Sequence, residues 1–180
     1  MSAKDHVLRI PKSIVKMLND QISQENLSSF AYLSQAIWCD KKGFSGAAKF
    51  LYKQSDEERA HMLKIITYLT EQEATPLLPV QQKGVASASY DSLHKIFSDV
   101  VKNEAHVTDA IHKIVAESLA CKDYRTFSFL QWFLEEQREE EHLAQKAINL
   151  FDIMAKDGGI GLYTIDCALG KLIEEEQSPA

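Results

Sequence analysis

Hydrophobic side chains recur every three or four residues in four long stretches of the chain. This spacing places the apolar side chains of a stretch on one face of a helix. The pattern predicts four long helices over residues 11–40, 44–73, 91–121 and 124–155. A shorter amphipathic stretch predicts a fifth helix over residues 162–173.

Turn signals separate these stretches. Residues 41–43 (Lys-Lys-Gly) and 122–123 (Lys-Asp) predict tight turns, and short turns make consecutive helices antiparallel. Asp91 is expected to cap the third helix, and the Asp-Gly-Gly sequence at 157–159 is expected to end the fourth. The prediction is therefore two helical hairpins.

A long connection joins the two hairpins, from residue 74 to residue 89. Pro76 and Pro79 exclude a regular helix there, and Gly84 adds backbone freedom. About sixteen extended residues reach roughly 50 Å, whereas a thirty-residue helix is roughly 45 Å long. The connection is thus long enough to cross the whole bundle and make the second and third helices parallel.

Composition agrees with an all-α protein. The 180 residues include only 7 Gly and 4 Pro, which is typical of long helices rather than of a turn-rich sheet. The length predicts one domain over residues 1–180. Residues 1–10 are expected to form a loose arm before the first helix.

The net charge and the cysteine content indicate which binding partners and which cellular compartment to expect. The formal net charge is −6 and no Lys/Arg run is present, so we expect no nucleic-acid partner. The sequence shows no stretch apolar enough to span a membrane and no signal-peptide core near its start. Cys39, Cys121 and Cys167 are scattered, which favours a reducing compartment over a disulfide framework. The expected location is the cytoplasm.

Polar side chains interrupt each of the four apolar stripes near its middle. Because midpoints coincide in an antiparallel or crossed bundle, these side chains should converge at one level of one core. An isolated buried carboxylate costs several kcal/mol, and a core whose net stability is roughly 5–15 kcal/mol cannot hold four of them without compensation. The interrupting residues, in chain order, are Glu25, Glu58 with His61, Glu104, and Gln137 with Glu140.

Two explanations remain open for this cluster. The acids are protonated and share hydrogen bonds, or divalent cations occupy the space between them. For Glu58 and His61 taken alone, a structural carboxylate–imidazole pair is the simpler interpretation. All four stripes together favour metal, because carboxylates, one imidazole and one amide form a ligand set for two ions. Such a mixture suits Fe or Mn, with Zn as an alternative.

The same residues resemble the ferritin family. A Glu on the first helix, Glu-x-x-His on the second and a Glu on the third are its pattern, which is shared by ferritin-like di-iron proteins in general. The resemblance extends from about residue 14 to residue 172 and includes the long crossover and the short fifth helix. Three local sequence motifs are most similar to those of bacterial non-haem ferritin: EERAHM at 57–62, TFSFLQWFLEEQREEEH at 126–142 and GLYTID at 161–166.

The resemblance implies a role for each residue of the cluster. Glu25, Glu58 and His61 would hold one iron. Glu58 would bridge to a second iron, held also by Glu104 and Glu140, with Gln137 beside it. Tyr32 would hydrogen-bond to the ligands and supply an electron; the alternative for Tyr32 is a core tyrosine whose hydroxyl needs a partner.

The resemblance also implies a third iron site. In bacterial ferritins that site would match Glu57, Glu136 and Glu139, with Glu140 shared. The alternative for these acids is a solvated helix face, which an EEQREEE run by itself favours.

At three places the sequence differs from other members of the fold, and these differences bear on haem binding, the metal ligands and the iron route. Bacterioferritin carries its haem-ligating Met after the helix-two Glu, but this chain has Arg59, so no haem is expected. Bacterioferritin also has a second Glu-x-x-His where this chain has Gln137 and Glu140. Positions that carry pore-lining acids in animal ferritins are Thr126, Phe127 and Leu130 here, which leaves the iron route undefined.

The function implied by the resemblance is iron storage with ferroxidase activity. Fe(II) and O2 would react at the di-iron centre within each subunit, and Fe(III) would be stored as mineral in a hollow homo-oligomeric cage, a 24-mer. Two alternatives stay open: a permanent di-iron redox enzyme of the same fold, and a structural shell subunit that only nucleates mineral.

Overall fold

The computed structural model describes residues 10–79, 89–154 and 158–176. These residues form five α-helices and no strand: α1 (Lys12–Lys42), α2 (Ser45–Glu71), α3 (Leu93–Ala120), α4 (Tyr124–Met154) and α5 (Gly158–Glu176). The all-α prediction is confirmed. None of these helices combines the length and the apolar character that a membrane-spanning segment needs. The predicted arm at residues 1–10 lies almost entirely outside the described residues, and the single-domain organisation stays a prediction.

Two tight turns produce the predicted helical hairpins. Gly43 follows α1 with φ of 83°, a left-handed conformation that glycine adopts without strain. Lys122 makes the turn between α3 and α4, also with positive φ. The cap of α3 differs from the prediction: Ser92, not Asp91, accepts a hydrogen bond from the Lys95 amide at 3.1 Å. Ser92 has extended backbone angles one residue before the helix, which is the position of an N-cap.

The long connection starts and ends at opposite ends of α1. At its start, the Asn19 side chain accepts a hydrogen bond from the Leu77 amide at 2.6 Å and donates to the Thr75 carbonyl at 3.4 Å. At its end, Tyr90 lies edge-on against Trp38 with ring centroids 6.1 Å apart. Asn19 and Trp38 are nineteen positions apart on α1, or about 28 Å. The predicted crossover agrees with these anchors; residues 80–88 lie outside the described residues.

The fifth helix is longer than predicted, because it begins at Gly158 rather than at residue 162 and continues to Glu176. The Gly-Gly pair expected to end α4 therefore belongs to the first turn of α5, and α4 already ends at Met154. Within α5, Asp166 accepts a hydrogen bond from the Ala47 amide at 2.8 Å, in the first turn of α2. Gly46 and Gly170 let the two helices approach closely, since a Cβ on Gly46 would lie 1.8 Å from the Asp166 carbonyl oxygen.

The apolar core is divided into two clusters along the bundle axis. One lies around Ile14, Leu18 and Phe133, near the start of α1, and the other around Phe50, Phe97 and α5. Between them lies a layer of buried polar side chains contributed by all four long helices. The fold thus places the predicted polar cluster at mid-height, where apolar packing isolates it from solvent above and below.

Candidate metal centre

The side chains that interrupt the apolar stripes are all buried in this mid-height layer. Each stripe continues its helical period through the polar residue, so burial of the apolar neighbours carries the polar side chain inward as well. None of these side chains is more than 8% exposed. The layer contains Glu25, Glu58, His61, Glu104, Gln137 and Glu140.

The first candidate ligand group joins α1 and α2. Glu25, Glu58 and His61 each offer one ligand atom, and these atoms all lie within 4.8 Å of one another. Glu25 Oε2, Glu58 Oε2 and His61 Nδ1 are buried and make no hydrogen bond. Glu58 Oε2 lies 3.4 Å from His61 Nδ1, close enough for electrostatic attraction but without hydrogen-bond geometry. The Glu58–His61 pair by itself therefore leaves these atoms poorly satisfied.

The second candidate ligand group joins α2 and α4. His61, Glu136 and Glu140 satisfy the same distance condition, with His61 Nε2 lying 3.7 Å from Glu136 Oε1. Glu140 Oε2 is buried and makes no hydrogen bond. His61 thus lies between the two groups and presents one ring nitrogen to each.

Glu104 occupies the same layer but its oxygens already have partners. Its Oε1 accepts a short hydrogen bond from the Tyr32 hydroxyl, and its Oε2 accepts one from Gln137 Nε2 at 3.5 Å. Each carboxylate oxygen has a second lone pair, so these bonds leave Glu104 able to ligate. Tyr32 contacts a proposed ligand directly, as the resemblance implied.

Burial raises the pKa of every carboxyl group in the layer. Burial, and then the neighbouring Glu58, raise the pKa of Glu25 well above its ordinary value. Burial, and then the Glu104 charge, raise the pKa of Glu58 likewise. Burial raises the pKa of Glu104, although the hydrogen bond from Tyr32 opposes the rise. Burial together with the charges of Glu104 and Glu57 raises the pKa of Glu140 to about 8.

The pKa values of His61 and Glu136 shift in opposite directions. Burial acts to lower the pKa of His61, but the hydrogen-bonding and charge effects of Glu136, with the charges of Glu25 and Glu140, overcome it, so the net shift is upward. The same contact with His61 lowers the pKa of Glu136. These two groups therefore favour their charged forms, while the deeper carboxyls favour their neutral forms in the absence of a cation.

The residues of the predicted third site are only partly brought together. Glu57 is partly exposed, accepts a hydrogen bond from Gln54 at 2.8 Å and lies 2.9 Å from the Lys53 ammonium group. Glu136 belongs to the second ligand group. The Glu139 side chain is exposed and pairs with Arg138 at 3.2 Å, on the outer face of α4. The structure therefore does not bring Glu139 to the group, and its part in a third site stays a prediction.

Several neighbours of the site were not singled out from the sequence. Gln21 is buried and donates to Glu25 Oε1 at 2.9 Å. Asn103 donates to the Tyr32 hydroxyl at 2.9 Å, and Gln137 donates to Thr108 at 3.3 Å. Gln21 lies four residues before Glu25 on α1, a spacing that could have indicated it. Asn103 and Thr108 are off the apolar stripe, so no periodic signal marks them.

Unpartnered atoms mark where the buried layer is incomplete by itself. Four buried ligand atoms lack partners: Glu25 Oε2, Glu58 Oε2, His61 Nδ1 and Glu140 Oε2. Such atoms are costly unless a cation or a proton occupies the space between them. Carboxylate oxygens with one imidazole fit divalent iron, manganese or zinc.

Comparison with known proteins agrees with the fold and with this residue pattern. A family model described as "Ferritin-like domain" matches residues 15–154. The chain belongs to the ferritin family. Within that family, the chain is 38% identical over 163 residues to a "probable bacterial non-heme ferritin-like protein" of Haemophilus influenzae, a match that covers 91% of this chain and 97% of the relative.

Two further family members extend the comparison. The chain is 35% identical to the bacterial non-heme ferritin of Campylobacter jejuni, over 87% of this chain and 92% of that relative. Among solved structures, it is similar to an open pore ferritin from the hyperthermophilic archaeon Archaeoglobus fulgidus. The TM-score is 0.83 and the identity 29%, with 91% of this chain and 98% of that chain covered. The likeness to ferritins therefore extends along nearly the whole chain.

Proposed function

We propose that this ferritin-family chain stores iron and oxidises Fe(II) with O2 at a di-iron centre in the middle of its helical bundle. The observation that carries the proposal is the buried polar layer, in which four ligand atoms lack partners between two apolar clusters. The names of the relatives, bacterial non-heme ferritins, support iron as the metal.

The two candidate ligand groups suggest how two ions are held as substrate. Glu25, Glu58 and His61 hold the first Fe(II) between α1 and α2. Glu140 holds the second, and Glu104 adds an oxygen from the α3 side. Two ions held side by side can each give an electron to a shared oxygen substrate. Glu58 belongs to the first group and would bridge to the second ion, as the resemblance implies; the charges of Glu104 and Glu140 both raise its pKa.

The protein supplies proton handling as well as ligands. The deep carboxyls favour their neutral forms without a cation, so iron binding releases protons from them. The burial-raised pKa of Tyr32 keeps its hydroxyl protonated and donating to Glu104. Gln137, a neutral amide beside Glu104, binds iron more weakly than a carboxylate would. Such a weak ligand suits a centre that releases oxidised iron rather than retaining it.

The storage part of the proposal concerns the assembled protein. We propose a closed homo-oligomeric cage of 24 subunits that receives the Fe(III) and holds it as mineral, in the symmetric manner of closed assemblies. The resemblance described above supports this, as does the near-complete coverage of the ferritin relatives.

Anaerobic Fe(II) titration followed by exposure to O2 tests the proposal. We expect roughly two tightly held ions per chain, rapid oxidation on adding O2, and continued uptake far beyond that number within a very large particle. Uptake that stops at two ions would indicate a permanent di-iron enzyme. Mineral growth without fast oxidation would indicate a shell subunit that only nucleates.

A further inference from the structure

Asn103 links α3 to α1 beside the ligand layer. Its Nδ2 donates hydrogen bonds to Ser28 Oγ at 2.9 Å and to the Tyr32 hydroxyl oxygen at 2.9 Å. The Ser28 hydroxyl donates back to Asn103 Oδ1 at 3.3 Å. Ser28 and Tyr32 are each 1% exposed, so both acceptors of the amide lie in the interior. The two N–H groups of Asn103 therefore serve the interface with α1.

The Tyr32 oxygen has a hydrogen-bond partner on each side. It accepts from Asn103 and donates a short hydrogen bond to Glu104 Oε1. Asn103 and Glu104 are adjacent on α3, so one helix supplies both the donor and the acceptor. Turning the hydroxyl towards the Asn103 amide would set two donors against each other. The amide thereby directs the hydroxyl proton to Glu104.

The observed orientation of the amide suits both of its charged-site neighbours. Reversing it would turn Asn103 Oδ1 towards the Tyr32 oxygen, where it would compete with Glu104 for the same proton. Burial raises the pKa of Tyr32 and that of Glu104, and the Asn103 amide opposes both rises. A donated hydrogen bond has this effect, because it favours the charged form of its acceptor. Asn103 thus offers N–H groups, rather than its carbonyl oxygen, to the Tyr32–Glu104 pair.

We propose that Asn103 is a positioning residue for electron transfer from Tyr32: its amide holds the phenolic oxygen while the hydroxyl proton passes to Glu104. This rests on the proposed function and on the electron that the ferritin resemblance assigns to Tyr32. In this step Tyr32 is oxidised by one electron, and O2, to which each Fe(II) also gives one, is reduced. The O–H bond of Tyr32 breaks, and an O–H bond forms on Glu104 Oε1.

The hydrogen bond from Asn103 is present before and after this step. Because the proton leaves with the electron, no positive charge remains on the buried Tyr32 ring, where it would be costly. The neutral oxygen that remains still accepts from Asn103, so it stays within reach of the proton on Glu104. The proton returns along the same path when Tyr32 regains an electron. Of the hydrogen bonds that the structure describes for this oxygen, only that with Glu104 would hold it without Asn103.

Asn103→Leu tests the hydrogen bond in the metal-free protein. The change removes the donor and keeps a side chain of similar length at a half-buried position. Raman spectra of the assembled protein are recorded with a chelator present, and the difference from Tyr32→Phe isolates the Tyr32 bands. The intensity ratio of the tyrosine doublet falls when a phenol donates without accepting. We expect a lower ratio in Asn103→Leu and no change in Asn149→Leu, the same substitution at an exposed position of α4.

Electron transfer is tested in the protein loaded with Fe(II). The loaded protein is mixed with O2, frozen at set times and measured by high-field electron paramagnetic resonance. The largest g value of a tyrosyl radical falls with each hydrogen bond that its oxygen accepts. We expect a radical that Tyr32→Phe abolishes. In Asn103→Leu its g value should rise and its yield fall roughly threefold to tenfold, the range that loss of one hydrogen bond gives.

A second variant covers the case in which Asn103→Leu does not assemble. Ser28→Ala removes the side chain that tethers the amide and keeps both partners of the Tyr32 oxygen in the chain. Shifts in the same directions, but smaller, would support the role of Asn103. An unchanged doublet ratio together with an unchanged radical would contradict it.

The outcomes separate this inference from the proposed function. Absence of rapid Fe(II) oxidation in the wild type would refute both. Rapid oxidation without a Tyr32 radical, or with the same radical in Asn103→Leu as in Asn149→Leu, would overturn the inference alone. So would a loss of Fe(II) binding in Asn103→Leu, which would assign the amide to the geometry of the ligands. A shifted, weaker radical confined to Asn103→Leu, with an unchanged number of bound Fe(II) ions, supports the inference.

Discussion

Replacing Glu140 by Gln should stabilise the metal-free protein by an amount that grows with pH. The two side chains have nearly the same shape, so the change removes a charge without creating a cavity. Glu140 is 8% exposed, and burial together with the charges of Glu104 and Glu57 raises its pKa to about 8. One of its oxygens has no partner. Its ionised form is therefore poorly tolerated in the folded state.

The direction and size of the effect follow from proton linkage. The unfolded carboxyl titrates near 4.5 and the folded one near 8. Because the folded pKa is raised, the stability linked to this group is fully present below about pH 4.5 and is lost as pH rises through about 8. At about 1.36 kcal/mol per pKa unit, the stability difference between variant and wild type should grow by about 4 kcal/mol from about pH 5 to about pH 9. The Glu140 charge also raises the pKa of Glu58, and the variant lacks this repulsion. The stability difference should therefore not fall much below this value.

Urea unfolding across this pH range, with a chelator present, measures the difference. Wild type and variant are compared at equal subunit concentration, because association contributes to the stability of an oligomer. Glu141→Gln is the matched control: it makes the same change in charge one residue away, at an exposed position. We expect it to change the free energy of unfolding by no more than about 0.5 kcal/mol.

Added divalent cation should make the wild type more stable than the Glu140→Gln variant. Wild type gains stability from the ion by an amount that grows with the logarithm of its affinity, and the variant lacks one carboxylate ligand. A Glu140→Gln protein that is less stable than wild type at high pH without metal would refute the reasoning. So would a stability difference that does not change with pH.

Three further predictions concern other parts of the molecule. Glu58→Ala should abolish rapid Fe(II) oxidation while leaving the metal-free protein at least as stable in urea, because it removes a buried carboxyl group that has an unpartnered oxygen; wild-type oxidation with a loss of about 3–5 kcal/mol would instead indicate a structural ion pair. Gly46→Ala should displace α5, since its Cβ would clash with the Asp166 backbone, and cost roughly 1–3 kcal/mol; gel filtration and urea unfolding check this, and unchanged profiles would contradict it. Replacing Glu136 and Glu139 together by Gln should leave a fast oxidation phase but alter the oxygen consumed per iron, whereas an unchanged ratio would return Glu139 to a purely solvated role, in keeping with its pairing with Arg138.

Helical periodicity predicted the buried faces well. On α3, every predicted stripe residue from Leu93 to Ser118 is buried, with Glu104 among them. On α1 the agreement is less complete. The three- and four-residue spacing that runs from Ile14 through Glu25 to Cys39 also includes Ser29, which is only partly buried, whereas Gln21 and Gln35 lie in the core although they are outside that spacing. A helix that packs against two neighbours buries more than one stripe, and the sequence does not reveal the second direction.

The start of α5 and the cap of α3 differ from the prediction. Gly158 and Gly159 were expected to end a helix, because glycine is a weak helix former. Instead they begin α5, whose Asp166 bonds to the start of α2. That contact joins residues 119 positions apart, so no local rule could have predicted it. Asp91 and Ser92 are both good caps, and only the backbone conformation selects Ser92.

The sequence by itself determined which side chains share a face and at what height along the bundle they lie. Both follow from the fixed 3.6-residue period and the 1.5 Å rise of the α-helix, which depend on local geometry alone. The convergence of Glu25, Glu58, His61 and Glu104 was therefore predictable. The tertiary structure decided which atoms remain without partners and which acids turn away, such as Glu139, one residue from the buried Glu140. Those outcomes depend on the rotation and separation of helices that are distant in sequence, and a rotation of a few tens of degrees exchanges a ligand for a solvated side chain.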